Sequence, residues 1–509
     1  MILIHPPVAK PSEPPAGVAR LAGALSTHRI RHTVLDANLE GLLYLIDCSG
    51  PLTATSSDKW TSRSFRNASD NYSSLRNWQT YLNIDRYKRA VIDLDHAIEK
   101  SVENGVVIGL ANYKDSTLSP LRSADLIKAS ERPEINHFYP YFSKRLRELI
   151  EKNSYSSAGF SLNYLSQALS TFAMIGFMRR SFPETKIILG GGLVTSWMNN
   201  PEWKDPFTGL VDHIIDGPGE GQLLSILGID ETNGTQYTPA LESLPLNDYL
   251  SPGRILPYSA SGGCYWKRCS FCPEKAEDNP YIPLAVDRVM EDLDSLIMDT
   301  KPSLVHLLDN AISPALLNRL AAEPPGVPWY GFARVSGLLT DFEFCRALKD
   351  SGCVMLKLGL ESGDQTVLDK MQKGTDIETA SLVLKTLKKA GISTYVYLLF
   401  GTPPETLTEA RNTLEFVLRH KDETGFLNVA LFNMPVCGPE MSGYRTSSFY
   451  EGDLSLYTDF THPQGWGRKQ VRQFLDNEFK RHPAISAILQ KDPPVFTSNH
   501  APLFVMQHE

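Results

Sequence analysis

Three of the chain's seven cysteines, Cys264, Cys269 and Cys272, lie within nine residues and are spaced as C-x4-C-x2-C. Thiolates this close repel one another unless a metal neutralises their charge, so the spacing predicts a metal or iron–sulfur site rather than three structural thiols. A structural zinc site would add a fourth ligand, usually from a second close pair roughly 12–20 residues further on. The next cysteine is Cys345, and no histidine lies within thirty residues downstream. Three ligands without a fourth suit a cubane iron–sulfur cluster with one iron open to another ligand.

The residues around these cysteines resemble a known family. The run Gly-Gly-Cys264…Cys269-Ser-Phe271-Cys272 resembles the cluster loop of radical S-adenosylmethionine (SAM) enzymes, including the aromatic residue before the last cysteine. The common form of that loop is C-x3-C-x2-C, and this chain has one residue more in the first gap. The spacing alone also leaves a ferredoxin-like electron carrier open, so the rest of the chain has to decide.

Length and composition limit the classes of protein. A chain of 509 residues is too long for one ordinary core, so we expect two or three domains. A net charge of −8 argues against a nucleic-acid partner, which would need a basic face. No apolar run reaches 18 residues and the N-terminus lacks a signal-peptide pattern, so no membrane span is expected. The other four cysteines are scattered and the total is odd, which indicates a reducing cytoplasm.

The first half alternates short apolar strands with helices, which predicts an α/β fold with a doubly wound, Rossmann-like parallel sheet over residues 1–225. Residues 42–150 are predicted as an insertion that is helical in its middle. Glycines after strands let a large ligand approach the carboxyl edge of such a sheet. The predicted strands are 2–5, 33–36, 158–163, 186–189 and 213–216.

The strand ends of this half carry prolines, glycines and small polar residues that together resemble the cobalamin-binding domain preceding the barrel in one branch of the radical SAM enzymes. Residues 36–41 are similar to the D-x-H-x-x-G motif of that domain, but Asn38 stands where the cobalt-ligating histidine would be. An amide is a poor cobalt ligand beside imidazole, so residue 38 is not expected to ligate the lower face of cobalamin. The alternative is a degenerate domain that binds nothing. The resemblance implies cobalamin contacts from Asp36, Asn38, Gly41, Ser161, Asn163, Gly190, Gly191, Gly192, Gly217, Gly219 and Glu220.

The second half begins after a segment rich in proline and glycine, residues 226–256, that is predicted to be a linker. Six strand–helix units over 257–440 fit the partial (β/α)6 barrel of radical SAM proteins, and residues 441–509 form a C-terminal extension. Functional residues of such barrels lie at the carboxyl ends of strands. The resemblance implies SAM contacts there from Phe271, Asp309, Arg334, Glu361, Ser362, Gly401 and Glu405. For Arg334 or Glu361 alone, a buried ion pair that braces the barrel is an equally good interpretation.

The resemblance implies a cytoplasmic enzyme with a [4Fe-4S] cluster on Cys264, Cys269 and Cys272, together with SAM and cobalamin. Its expected activity is methylation of an unactivated carbon through a 5′-deoxyadenosyl radical and methylcobalamin. A flavodoxin- or ferredoxin-type protein would donate electrons, and the substrate would be a small molecule, lipid or peptide. No catalytic residue is assigned beyond the cofactor ligands.

Two other classes stay open from the sequence. One is a cobalamin-containing radical enzyme that forms a ring, rearranges or epimerises its substrate without methylating it. The other is a non-catalytic iron–sulfur or cobalamin-binding protein. A transfer-RNA methylthiolating enzyme is disfavoured, because residues 1–225 lack the second cysteine trio that it would need.

Overall fold

A computed structural model describes residues 1–48, 58–102, 105–229, 236–449, 451–496 and 501–505. The chain forms two compact units. The first consists of Met1–Ile255, Tyr450–Leu456 and Pro494–Phe496, and the second of Leu256–Phe449, Tyr457–Pro493 and Thr497–Glu509. Parts of the predicted insertion, linker and C-terminal extension lie outside the described residues.

The first unit contains a five-stranded parallel sheet and a separate antiparallel hairpin. Its strands are β1 (Ile2–His5), β2 (Thr33–Asp36), β3 (Val106–Ile108), β4 (Tyr113–Asp115), β5 (Ser157–Ser161), β6 (Lys186–Gly190) and β7 (His213–Ile214). The sheet order is β2-β1-β5-β6-β7, and its paired strands run parallel. In this order the winding direction changes between β1 and β5. Doubly wound folds bind ligands beside such a switch point, at the carboxyl ends of the strands.

Helices cover both faces of this sheet, which explains why its strands are continuous apolar runs. The helices are α1 (Ala16–Thr27), α2 (Ala37–Cys48), α3 (Lys59–Arg66), α4 (Ala68–Leu75), α5 (Trp78–Tyr81), α6 (Ile84–Lys100), α7 (Ser123–Glu131), α8 (Tyr139–Asn153), α9 (Leu165–Ser181), α10 (Gly192–Met198) and α11 (Gly219–Ile226). Helix α1 packs on α11, and α2 packs on α8. The predicted insertion adds α3 to α7 and the hairpin, with α6 against α2 and α7 against α9. The hairpin of β3 and β4 was not predicted.

The described part of the predicted linker is fixed to the first unit by hydrogen bonds. The backbone N–H of Ala240 donates to Ala19 O at 2.9 Å, and that of Leu250 donates to Pro11 O at 2.8 Å. The Tyr249 hydroxyl donates to a carboxylate oxygen of the first sheet at 2.7 Å. Residues 236–255 are therefore packed chain and not a free tether. The domain boundaries at 225, 256 and 440 stay predictions.

A short segment that follows most of the second unit in sequence also belongs to the first. Leu454 N donates to Leu121 O at 2.9 Å. Ser123 donates from its backbone and its hydroxyl to the Asp453 carboxylate, at 2.9 and 2.5 Å. The start of α7 is thus held by residues about 330 positions further along the chain.

The second unit is a partial barrel whose strands follow one another in chain order. Its strands are β8 (Ile255–Tyr258), β9 (Ser261–Gly262), β10 (Ile282–Pro283), β11 (Leu304–Leu307), β12 (Trp329–Ala333), β13 (Cys353–Glu361), β14 (Ser393–Phe400), β15 (Phe426–Leu431), β16 (Met434–Pro435), β17 (Thr446–Ser448) and β18 (Tyr457–Phe460). The six-stranded sheet has the order β8-β11-β12-β13-β14-β15, and its strand pairs from β11 to β15 run parallel. Strands β16 to β18 form a small antiparallel sheet, and β9 pairs with β10.

The helices of the second unit alternate with the barrel strands. They are α12 (Pro273–Ala276), α13 (Val286–Thr300), α14 (Pro314–Ala322), α15 (Phe342–Asp350), α16 (Gln365–Lys370), α17 (Ile377–Ala390), α18 (Leu407–Arg419), α19 (Arg468–Phe474), α20 (Pro483–Leu489) and α21 (Pro502–Val505). The predicted architecture, a Rossmann-like sheet followed by a partial (β/α)6 barrel, is confirmed. Of the helices that the structure describes, none is long and apolar enough to cross a bilayer.

The close packing of α7 on α9 yields a stability prediction. A Cβ at Gly176 of α9 would lie 1.9 Å from Ser130 O, so Gly176→Ala must push the two helices apart. We expect it to lower the free energy of unfolding of the cofactor-free protein by about 2–3 kcal/mol, measured by urea denaturation. The matched control is Gly17→Ala in α1, where a Cβ meets nothing within 4 Å. The control should change stability by less than about 1 kcal/mol, and equal losses in both variants would contradict the packing argument.

Candidate functional site

The cysteine loop is closed at its base by the β9–β10 pair and by Asp309, which follows β11. The Asp309 carboxylate accepts hydrogen bonds from Ala260 N at 3.1 Å and from the Ser261 hydroxyl at 2.5 Å. Burial raises the pKa of this carboxyl, and the hydrogen bonds oppose the rise. Gly263 has φ +68°, and a Cβ there would lie 2.3 Å from Pro280 O, so the tight base requires glycine. Asp309 therefore shapes the loop in this structure, and its contact with SAM stays a prediction.

The far end of the loop rests on residues 371–374, which follow α16. Ser270 N donates to Met371 O at 2.9 Å. Phe271 packs against the buried side chains of Val367, Leu368 and Met371. Residues 367–374, which comprise the end of α16 and the turn after it, thus support the loop, and this segment is called the platform below.

The three cysteines of the loop are free thiols, and one of them, Cys269, lies next to two cations. Cys269 is buried, and Cys264 and Cys272 are half-buried. Burial raises the pKa of Cys269, while the charges of Lys373 and Arg334 and a hydrogen bond from Arg334 oppose the rise. Burial also raises the pKa of Cys272, to about 11. Positive groups beside sulfur atoms that carry negative charge when they ligate iron fit an iron–sulfur cluster.

Within the part of the chain that the structure describes, no group of three or more His, Cys, Asp or Glu side chains is arranged around a single metal ion. A cubane cluster makes a different demand, because each thiolate binds a separate iron and the sulfurs need not converge on one point. Cluster binding by the three cysteines stays a prediction.

Lys373 was missed by the sequence reasoning, and it forms a buried ion pair with Glu361. Its Nζ lies 2.8 Å from Glu361 Oε1, and the two side chains are 8% and 13% exposed. A Cβ at Gly359 would lie 2.6 Å from the Glu361 oxygen and 2.8 Å from Lys373 Nζ, so this glycine leaves the space for the pair. Glu361 itself has φ +69°, a region that side chains rarely adopt. The bracing ion pair is thus present, and contact of Glu361 with SAM stays a prediction.

Ser362 is enclosed by the neighbouring helix α18. It is fully buried, its hydroxyl lies 3.2 Å from Thr413 Oγ1, and it accepts from Asp364 N at 3.1 Å. These contacts join the end of β13 to α18 and to the start of α16. The hydroxyl is therefore committed to packing the barrel in this structure.

The turn from Gly401 to Glu405, after β14, is folded around the Glu405 carboxyl. Glu405 is fully buried, and one of its oxygens accepts from Gly401 N and, at 3.0 Å, from Trp466 Nε1. The other oxygen has no hydrogen-bond partner among the described residues. Burial raises the pKa of this carboxyl to about 8. Gly401 has φ +82°, which glycine adopts without strain.

The C-terminal extension holds the same turn from outside. His462 Nδ1 accepts from Gln464 N and Trp466 N, so its Nε2 carries the proton and donates to Thr402 O at 2.9 Å. His462 and Trp466 lie 60 and 61 residues from their partners in the turn, and no local sequence motif identifies them as contacts of the turn.

A cavity of about 400 Å³ opens between the cysteine loop, the platform and this turn. Phe271 of the loop lies on one side, and the prolines of the 401–405 turn lie on another. Phe432, just after β15, and Cys437 close it. Its position at the carboxyl ends of the barrel strands is where this class of fold binds its ligands.

In the first unit, the predicted residues at the end of β2 serve to order the sheet edge. Asn38 is buried, its Oδ1 accepts from Ala9 N at 2.8 Å, and its Nδ2 donates to Ala9 O at 3.0 Å. The amide therefore holds the loop after β1 with both of its polar atoms, which an imidazole could not do in the same way. Asp36 accepts from Leu39 N at 2.9 Å and from the Tyr249 hydroxyl at 2.7 Å.

The ends of β5 and β6 meet through Asn163. Its Oδ1 accepts from Gly192 N at 2.9 Å, and its Nδ2 lies 3.1 Å from the Ser161 hydroxyl. Gly191 has φ +113°, and a Cβ there would lie 2.4 Å from Leu162 O, so only glycine fits. Ser161, Asn163 and the glycines 190–192 are thus brought together at one edge.

The other predicted residues of the first unit differ in surroundings. A Cβ at Gly217 would meet nothing within 4 Å, so the backbone there is open to a ligand. Gly41 instead packs on Phe138, whose ring would be 3.0 Å from a Cβ. Glu220 pairs with Arg20 at 2.8 Å on α1. Gly219 lies at the start of α11 near Ile215 and Leu21.

Comparison with known proteins finds a family match for part of the second unit. Residues 258–417 match the model of the Radical SAM superfamily. The chain carries a radical SAM domain. The domain runs from the end of β8 through the cysteine loop, the platform and the 401–405 turn into α18. The cysteine spacing with one extra residue therefore occurs inside a radical SAM domain.

Two solved structures have the same fold as the chain. TsrM from Kitasatospora setae, a radical SAM methyltransferase whose structure holds cobalamin and a [4Fe-4S] cluster, has a TM-score of 0.53 and 14% identity, over 93% of this chain and 84% of TsrM. OxsB, a cobalamin-dependent SAM radical enzyme with aqua-cobalamin and SAM bound, has a TM-score of 0.50 and 13% identity, over 82% of this chain and 51% of OxsB. The resemblance predicted from the motifs is confirmed at the level of the radical SAM domain and the fold.

One curated relative matches part of the sequence. Uncharacterized methyltransferase PH0819 of Pyrococcus horikoshii is 26% identical over 190 residues. This match covers 35% of the chain and 40% of that relative. The chain thus matches less than half of the relative's length.

The buried Glu405 carboxyl predicts a pH dependence of stability. Its pKa is raised from 4.5 to about 8, so between these values the folded state binds the proton more tightly than the unfolded state. Stability then falls as pH rises, by up to about 1.4 kcal/mol per pH unit. Glu405→Gln removes this titration, so the variant should gain stability relative to the original protein as pH rises from 5 to 8, measured by urea unfolding.

The matched control is Glu409→Gln, one turn further on. Hydrogen bonds from Thr406 lower the pKa of Glu409 below 4.5. The contribution of this carboxylate to the stability of the fold is therefore complete above pH 4.5 and is lost only at lower pH. The stability difference for this variant should be constant from pH 5 to 8. A constant difference for Glu405→Gln as well would show that the carboxyl titrates normally.

Proposed function

We propose that this protein is a cobalamin-dependent radical SAM enzyme that methylates an unactivated carbon of its substrate. The observation that carries the proposal is the cysteine loop of the radical SAM domain, which lies beside Arg334 and Lys373 and lines the cavity at the carboxyl ends of the barrel strands. The fold that it shares with TsrM over most of its length supports a cobalamin-binding first unit.

Cys264, Cys269 and Cys272 would hold a [4Fe-4S] cluster through three thiolates. When bound, the cluster supplies the electron that cleaves SAM, and cobalamin carries the methyl group to be transferred. The chain's part is to bind, orient and exclude water. Lys373 and Arg334 would offset the negative charge of the Cys269 sulfur and so stabilise its deprotonated form.

The cavity beside the loop would take SAM. Phe271 lines the cavity and offers an aromatic surface to a ring. The guanidinium of Arg334 lies outside the lining, beside Cys269, and would pair with the SAM carboxylate in a bidentate manner. The 401–405 turn contributes two prolines to the wall, and its shape depends on Glu405 inside it. A buried carboxyl with a raised pKa stays largely protonated at neutral pH, so this wall of the cavity adds little negative charge.

The edge formed by β1, β5 and β6 would bind cobalamin. Gly191 and Gly192 have no side chains that would cover the strand ends. Gly217 leaves the neighbouring backbone open to a large planar ligand. Asn38 would contribute by ordering the loop after β1 and not by ligating cobalt.

One observation favours a second candidate, a cobalamin-dependent radical enzyme that does not methylate. Cys437 lines the same cavity, and burial raises the pKa of its thiol, so the S–H bond stays intact at neutral pH. A thiol hydrogen next to the substrate can be transferred to a carbon radical, as an epimerising reaction requires. The mass of the product separates the two candidates. In both, an electron-donor protein of the flavodoxin or ferredoxin class is needed, and the substrate is not nucleic acid.

The test uses anaerobically reconstituted protein with SAM that carries an isotopically labelled methyl group. We expect 5′-deoxyadenosine and, with the right substrate, a product heavier by one labelled methylene unit. The triple variant Cys264→Ala, Cys269→Ala and Cys272→Ala should lose bound iron and SAM cleavage, while the first unit keeps its fold by circular dichroism. The control, Cys48→Ala with Cys437→Ala, should keep its iron. Full iron content in the triple variant would refute the cluster assignment.

Cobalamin binding by the first unit can be tested separately. The purified protein should retain cob(II)alamin, and its electron paramagnetic resonance spectrum should be unchanged by labelling the protein with ¹⁵N-histidine, because Asn38 replaces the usual ligand. Asn38→Ala should leave the spectrum unchanged. It should lower the free energy of unfolding by about 2 kcal/mol, because the buried backbone N–H and C=O of Ala9 lose their partners. A nitrogen splitting that changes on labelling would contradict this and point to His5, which ends β1 and is 7% exposed.

A further inference from the structure

The extra residue in the first gap of the cysteine loop coincides with an aromatic contact that lies outside the common loop pattern. Trp266 stands between Cys264 and Cys269, and its ring lies under the Arg334 guanidinium, with Arg334 Cζ 4.1 Å from the ring centroid. Arg268 Cζ lies 5.0 Å from the same centroid. Two cations at the faces of one indole are favourable contacts of the cation–π type.

The edge of the same indole contacts the platform. A Cβ at Gly374 would lie 2.1 Å from Trp266 Cζ2, so the indole occupies the space that any side chain at 374 would need. The indole N–H donates to Gln372 O at 3.2 Å. Trp266 is thus fixed by stacking, by shape and by a hydrogen bond.

Arg334 is bound to the same segment independently of the stack. Its Nη2 donates to Lys373 O at 2.5 Å, so the guanidinium touches the indole and the platform backbone at once. The Lys373 ammonium in turn reaches Glu361 at 2.8 Å and lies 5.5 Å from the centre of the Phe271 ring. The positions of both cations beside Cys269 therefore depend on the same few backbone atoms.

We propose that Trp266 is a positioning residue that clamps the cysteine loop to the platform and so holds Arg334 in the orientation that receives SAM. The inference rests on the proposed function and deepens it. The longer C-x4-C gap supplies the chain length with which the loop carries an indole to Gln372 and Gly374. A smaller residue would leave the guanidinium without a surface to stack on, and it would be free to turn away from Cys269.

The test compares Trp266→Ala and Gly374→Ala with Trp266→Phe and Gly391→Ala. The first two remove the ring or displace it. Trp266→Phe keeps an aromatic ring for stacking but loses the N–H donor and part of the indole surface. Gly391 is the matched control for Gly374, because both are exposed glycines with positive φ, +78° and +65°, but a Cβ at 391 meets only Lys349 Cε at 3.8 Å.

In reconstituted protein, Trp266→Ala and Gly374→Ala should raise the KM for SAM in reductive cleavage by about tenfold while kcat stays within about twofold. The change that SAM causes in the electron paramagnetic resonance spectrum of the reduced cluster should need correspondingly more SAM. Trp266→Phe should restore most of the affinity, and Gly391→Ala should behave as the original protein. An unchanged KM in Trp266→Ala, or an equal loss in Gly391→Ala, would overturn the proposal.

Hydrogen exchange of the protein as purified tests the clamp without iron or SAM. Trp266→Ala and Gly374→Ala should speed amide exchange in peptides covering 261–272 and 367–376, because the bond from Ser270 N to Met371 O opens more often. Peptides of the first unit serve as the folding control and should not change. Unaltered exchange in both variants refutes the clamp, even if the cluster is present. Faster exchange in a protein that binds no iron would uphold the clamp and refute the proposed function.

Discussion

The buried ion pair between Glu361 and Lys373 is the contact on which the site in the barrel depends. Removing two charges from water costs several kcal/mol for each ion, and only a close contact with further hydrogen bonds offsets this cost. The 2.8 Å contact supplies the close approach; Gly359 leaves room for it, and Glu361 reaches it with a positive φ of 69°. Losing either charge would leave the other buried alone, a loss of about 3–5 kcal/mol. Because Lys373 belongs to the platform, the support of the cysteine loop is tied to the end of β13.

The charge balance of this region follows from the same pair. Lys373 and Arg334 are two cations, and Glu361 neutralises one of them. The net charge of these three groups beside Cys269 is about +1. Burial raises the pKa of the Cys269 thiol, which must lose its proton before it binds iron. The nearby turn adds little to this balance, because the enclosed Glu405 carboxyl stays largely protonated. At Cys269 burial and the two cations thus act in opposite directions: burial raises the pKa of the thiol, and the cations reduce that rise.

Local patterns were sufficient for the elements but not for the contacts of the site. The strands Ile2–His5 and Thr33–Asp36 were predicted at the observed bounds, because buried parallel strands are continuous apolar runs between turn residues. The cysteines were identified from spacing alone. The pairing of Asn38 with Ala9 and of Trp466 with Glu405 could not be predicted, since each joins residues far apart in sequence with ordinary local neighbours. Lys373 could not be assigned either, because its partner Glu361 depends on how β13 ends.

The segment from 451 to 456 has a consequence for the order of events during synthesis. Helix α7 of the first unit takes its capping partner Asp453 from beyond the barrel, so the ribosome must make nearly the whole chain before that contact can form. Until then, the start of α7 is exposed on the nascent chain, and the first unit can only be complete once the barrel has been made. A first unit cut from the chain at residue 255 would therefore lack the residues that hold the start of α7.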